Sequence, residues 1–152
     1  MLATAPQEGG PVTDVYPSSD SVVSETIPAT ARTYLTQAID SQHAPAGAVM
    51  LAASAVDAML KAKGLKEGSL YRRIDEAAKT QLITEEMAAW AHDVRLEAND
   101  ERHADEEYAM KTAEDAKRCI EFTSALAQLL FVLPDKVRRG REAAIKAASQ
   151  RA

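Results

Sequence analysis

From residue 28 onward, apolar side chains recur three and four positions apart, and no stretch alternates singly as a half-buried strand requires. The spacing predicts a first helix with Pro28 in its first turn, running to about Gln42, with Tyr34, Leu35, Ala38 and Ile39 as its apolar stripe. Pro45 opens a second, from about Ala46 to Lys63, carrying Val49, Ala52, Ala53, Val56, Met59 and Leu60, and Gly64 suits the position just past its end. Nearly all of its circumference is apolar or alanine, so it is expected to be the most buried helix. Ser69 caps a third helix with Leu70, Ile74, Ala77 and Ala78 inward. Thr84 caps a fourth, with Met87, Trp90, Ala91 and Val94 inward and "RLEANDERH" (95–103) at its end. Thr112-Ala-Glu-Asp115 has the form of a capping box, with Asp in place of Glu or Gln. It would open a long helix through Cys119, Ile120, Leu126, Leu129, Leu130 and Leu133, which Pro134 would end. Asp135 would cap a last, basic helix towards Ala152. The fold class is all-α: a bundle of about five main helices plus a basic C-terminal helix.

Residues 1–27 lack this periodicity and are rich in Pro, Gly, Ser and Thr, so they read as an extended or disordered arm. The expected organisation is this arm, a bundle over 28–134 and a basic helix or tail over 135–152. Low aromatic content (5%) and abundant alanine fit closely packed helices. The net charge of -5 argues against a general nucleic-acid binder, but the charge is uneven. The first 28 residues hold Glu8, Asp14, Asp20 and Glu25 and no Lys or Arg. Residues 135–152 hold Lys136, Arg138, Arg139, Arg141, Lys146 and Arg151 against Asp135 and Glu142. Such ends either pair between subunits or simply solubilise each tail. The single cysteine, Cys119, cannot form an internal disulfide and sits in an apolar pattern, where a thiol serves as a small core hydrophobe. The start has no basic and apolar leader, and the stretch Ala44–Leu60 reads as too interrupted to span a bilayer. The expected setting is cytoplasmic, with no membrane partner and no cofactor.

Candidate chemistry concentrates in RLEANDERH. Read as helix, Arg95, Asn99 and His103 fall four residues apart on one slowly drifting face. There His103 would move protons near neutrality, Arg95 or Arg102 would stabilise charge on a phosphodiester, and Asn99 would orient it. Seven acids between Asp93 and Glu107 oppose this, because their field repels a polyanion. Carboxylate pairs such as Asp93/Glu97 and Glu97/Glu101 lie one turn apart, but no Glu-x-x-His or His-Glu-x-x-His pattern accompanies them, and no metal site is expected. In the structural alternative the segment is a helix C-terminus with internal ion pairs. His43 and His92 stand isolated, and Trp90 is read as core. The basic stretch 136–146, with Lys136, Arg138, Arg139 and Arg141, offers a surface for a protein partner. Gly140 and the lack of aromatics weaken a nucleic-acid reading there.

The order of Tyr34 and Ala38, "LYRRI" (70–74), "LIT" (82–84), "VRLEANDERH" (94–103) and "LLFVLP" (129–134) resembles the bacterial domain-of-unknown-function family 4145, grouped with the HEPN helical bundles. The resemblance implies a helical bundle that often dimerises, frequently in proteins tied to anti-phage defence. Many HEPN members are metal-independent ribonucleases using an Arg and a His separated by four to six residues, and the motif maps these onto Arg95 and His103. Here seven residues intervene, and Leu96 stands where a polar residue follows the Arg. The leading expectation is therefore a non-catalytic interaction or regulatory module, a homodimer with a protein partner on its basic C-terminal helix. The alternative is a ribonuclease using His103 and Arg95 in a dimeric cleft.

Overall fold

The computed structural model describes residues 23–96 and 110–151, and within them every regular element is helical. The elements are α1 (Ala29–Asp40), α2 (Pro45–Ala62), α3 (Leu70–Lys79), α4 (Glu85–Asp93), α5 (Ala113–Ala127), a π-helical turn (Gln128–Val132) and α6 (Leu133–Arg151). The chain is an all-α bundle. Helix α2 packs against α1 and α5, and the shorter α3 and α4 lean on each other.

Local sequence accounts for most boundaries. Ser69 Oγ accepts from the Arg72 N–H, and Thr84 Oγ1 from the Met87 N–H. Thr112 and Asp115 form the full reciprocal box at the start of α5. At the end of α2, Gly64 takes φ +92°, its N–H donates to Lys61 O and that of Leu65 to Leu60 O, so the orphan carbonyls of the last turn are satisfied. Helix α3 ends the same way around Gln81, at φ +64°.

The core follows the apolar stripes: Ala31, Leu35 and Ala38 of α1, Val49, Ala52, Val56, Met59 and Leu60 of α2, and Cys119, Phe122, Leu126 and Leu130 from α5 and the π turn. Val23 and Ile27 join it, so the end of the segment read as an arm packs on the body, and residues 1–22 lie outside the described residues. Helix α2 does not stand alone as the most buried element, since α5 buries as many side chains over fewer residues. By length and composition α2 could cross a membrane (mean hydropathy 1.2), but its apolar face is the one that fills the bundle core.

Three expectations need correction. Pro134 does not end the long helix: α5, the π turn and α6 are continuous. An α-helix through Pro134 would set the ring against the Leu130 carbonyl and lose that hydrogen bond. The wider turn relieves the crowding, with the Leu133 N–H reaching back five residues to Gln128 O. Leu133 is thereby half exposed rather than core. Trp90 is 36% exposed and lies edge-on to Phe122, at 5.3 Å between ring centres, so it covers the core rather than filling it.

One ion pair joins α2 to α3. The buried Arg73 guanidinium donates through Nη2 to Asp57, which also pairs with Lys61 at 2.8 Å. Arg73 Nε and Nη1 are buried without a hydrogen-bond partner, so the Asp57 contact is what holds this charge.

Candidate functional site

The sequence nominated two places, the RLEANDERH segment and the basic helix. Helix α4 stops at Asp93, before the first of them. The Val94 N–H donates to Trp90 O, Arg95 takes a left-handed conformation (φ +53°), and its N–H donates to His92 O. Leu96 then turns into the core, only 1% exposed. On a continued helix Leu96 would point well away from the direction of Ala91, so burying it requires the break. Arg95 therefore does not begin a helical face leading to Asn99 and His103. Those two residues, with the acids from Glu97 to Glu107, lie outside the described residues.

Two contacts fasten this corner to α5 and to the residues leading into it. The Cys119 thiol donates to Val94 O at 3.2 Å, and Lys111 Nζ donates to Arg95 O at 3.4 Å. Cys119 is buried, and burial pushes its thiol up to about 11, so it stays protonated and unreactive near neutrality. A disulfide-based thiol reagent at pH 8 should leave the native protein unmodified and label it fully in denaturant; rapid native labelling would contradict the placement. Arg95 occupies a position that glycine fills without steric penalty. Arg95→Gly should raise the free energy of unfolding by up to about 1 kcal/mol in a denaturant titration. A loss of stability would show that the Arg95 side chain holds the corner.

Two pairings had no signal in local spacing. His92 Nε2 stands 2.7 Å from Asp75 Oδ1, and the Tyr71 ring lies tilted against the imidazole with ring centres 4.8 Å apart, so His92 is not isolated but clamps α4 to α3. Asp75 and His92 come from different helices, and only the fold brings them together. The other is Arg73 with Asp57. A depression of about 520 Å³ beside it is lined by Lys66, Arg72 and Arg73, but also by Glu67 and Glu76, so its field favours neither sign of ligand. Among the described residues no three His, Cys, Asp or Glu side chains gather as a metal-binding group.

The basic helix is the more distinctive feature. None of the residues of α6 is buried. Leu133, Val137 and Ile145 are 50%, 52% and 62% exposed, and with Pro134, Arg138, Arg141 and Glu142 they line a groove of about 570 Å³ along one side. Of the four cations nominated there, two are engaged within the helix. Arg138 pairs with Asp135 at 2.7 Å and Glu142 at 3.1 Å, and Arg139 pairs with Asp135 at 2.9 Å. These contacts hold the Asp135 carboxyl below its ordinary range, the Arg138 hydrogen bond first among the causes. Lys136 and Arg141 have no ion pair among the described residues, and Arg141 lies within the apolar groove. Nineteen residues at about 1.5 Å each make a rod about 28 Å long.

No curated protein and no solved structure matches the chain. The family model for a domain of unknown function, DUF4145, matches residues 36–147, from within α1 to within α6, so that the exposed helix is largely part of the matched stretch. With well over half of its length matched, the chain belongs to the DUF4145 family.

Proposed function

We propose that this chain is a non-catalytic interaction module whose docking surface is α6. The observation that carries the reading is a 19-residue helix with no buried residue, an apolar stripe and a cation within that stripe. A helix that buries nothing in its own fold draws little stability from packing, and a stripe of this kind finds its counterpart on another segment. The resemblance to HEPN-type bundles points to a regulatory role in bacterial or phage defence. On the catalytic side, α4 ends at Asp93 and Arg95 takes a left-handed conformation, which supports the non-catalytic reading at the first residue of the motif.

The pure protein, incubated with a structured RNA in chelator, should leave the RNA intact, and His103→Ala should change nothing. Metal-independent cleavage that disappears in His103→Ala would establish the ribonuclease reading instead. The homodimer expected from the sequence belongs to the same proposal, with Met50 the large apolar side chain left exposed on α2. Light scattering at tens of micromolar should report twice the chain mass, and a monomer would remove the dimer from the reading.

A further inference from the structure

We propose that the chain supplies a ligand for its own docking helix: the acidic segment 1–22 lies along the groove of α6 and must be displaced by an external partner. The inference rests on α6 being the docking surface and adds how that surface is regulated.

Three observations select this occupant. The first is where the segment is rooted. Val23 and Ile27 are buried in the core ahead of α1. Helices α1 and α2 are joined by residues 41–44 alone, so they run antiparallel, and the start of α1 lies beside the end of α2. At that end Lys63 Nζ stands 4.7 Å over the Phe131 ring, in the π turn from which α6 departs. Segment and helix thus leave the bundle at the same end.

The second is reach. Arg141 lies eight residues beyond Leu133, about 12 Å along the helix. Nine residues from Val23 back to Asp14 span up to about 30 Å when extended. The third is chemistry. The groove offers Leu133, Val137 and Ile145 around Arg141, which has no ion pair among the described residues. The segment carries Glu8, Asp14 and Asp20 and no cation, and Val12-Thr13-Asp14-Val15-Tyr16 sets a carboxylate between apolar side chains. A second copy of α6 fits worse, because pairing the stripes would bring two Arg141 guanidinium groups into the same apolar seam.

The test places a nitroxide label at Thr13→Cys in the full chain, with Cys119 buried and protected, and reads the amide signals of α6 by magnetic resonance. At low salt the signals of Val137 to Ile145 should lose at least about half of their intensity. They should recover in 0.5 M salt, where exposed charges are screened. Arg141→Glu should restore the signals at low salt, and Arg141→Glu combined with Asp14→Lys should bring the loss back. Full intensity on α6 in the labelled wild type, or a loss indifferent to Arg141→Glu, would overturn the proposal. A loss seen only when labelled chains are mixed with separate isotope-enriched chains would overturn it too, by assigning the ligand to a second copy. Because the purified chain is measured alone, the result stands whether or not an external partner binds α6.

Discussion

Asp57→Ala should lower the stability of the bundle by about 3 kcal/mol, because it strips a buried guanidinium of its counterion. Arg73 is 7% exposed, and Nε and Nη1 already lack partners, so after the substitution no hydrogen bond to this cation remains. Replacing the pair as a whole is a different change. Asp57→Leu with Arg73→Met removes both charges and should come within about 1 kcal/mol of the wild type, since no orphan charge is left. Urea titrations of the three proteins decide this, and equal losses in the single and double variants would show that packing, not charge, holds α2 to α3. The pair also sets an acid limit. Burial pushes the Asp57 carboxyl up, but hydrogen bonds and charge from Lys61 and Arg73 outweigh it and leave it below the ordinary value. A depressed carboxyl contributes stability that is complete above the unfolded-state value near 4 and is lost as pH falls below it. Asp115, held down first by the Thr112 N–H, titrates in the same window. The part due to Asp57 is therefore the difference between wild type and Asp57→Ala, which should shrink as pH falls from 5 to 2.

Val137→Asp together with Ile145→Asp should weaken association with the partner by about a thousandfold while leaving the bundle intact. Each side chain is more than half exposed in the free protein, so its replacement exposes no core and should shift the unfolding free energy by less than about 0.5 kcal/mol. On α6 as the proposed docking surface, the same positions are apolar anchors in a groove. Losing such an anchor costs about 2 kcal/mol, or roughly thirtyfold in affinity, for each site. Helical content should be almost unchanged, because α6 is held by its own ladder and by the Asp135, Arg138 and Glu142 pairs. The pattern to look for is lost binding at constant stability. A bundle that unfolds with these substitutions would mean that α6 packs on the body.

Much of the fold is legible in the sequence, for physical reasons that differ by element. Caps are local, so Ser69, Thr84, the Thr112–Asp115 box and Gly64 can be read within four residues of each helix end. The apolar stripes of α1, α2 and α5 name most of the core because each helix keeps one face inward over several turns. Reading fails where a residue takes an unusual role. Arg95 occupies a left-handed position that usually announces itself as glycine, so the stop before RLEANDERH is hidden and the helical face through Asn99 and His103 looks continuous. Pro134 signals an end, but a wider turn two to six residues earlier absorbs it, and only backbone hydrogen bonding shows that. Asp57 with Arg73 and Asp75 with His92 each join separate helices, and nothing along one helix marks them. On α6 the charges of Lys136, Arg138, Arg139 and Arg141 are visible in the sequence, and so is the three- and four-residue spacing that pairs Arg138 and Arg139 with Asp135, whereas the exposure of Leu133 is not.

The most direct measurement of the docking role is site-specific cross-linking in the host cell, with a photoreactive side chain at Val137 in the groove of α6. The same side chain at Glu86, exposed on α4, serves as the comparison. A discrete heavier species should form at Val137, disappear when Arg141→Glu is added, and be absent at Glu86. No heavier species at Val137, or the same species from both positions, would contradict α6 as the docking surface.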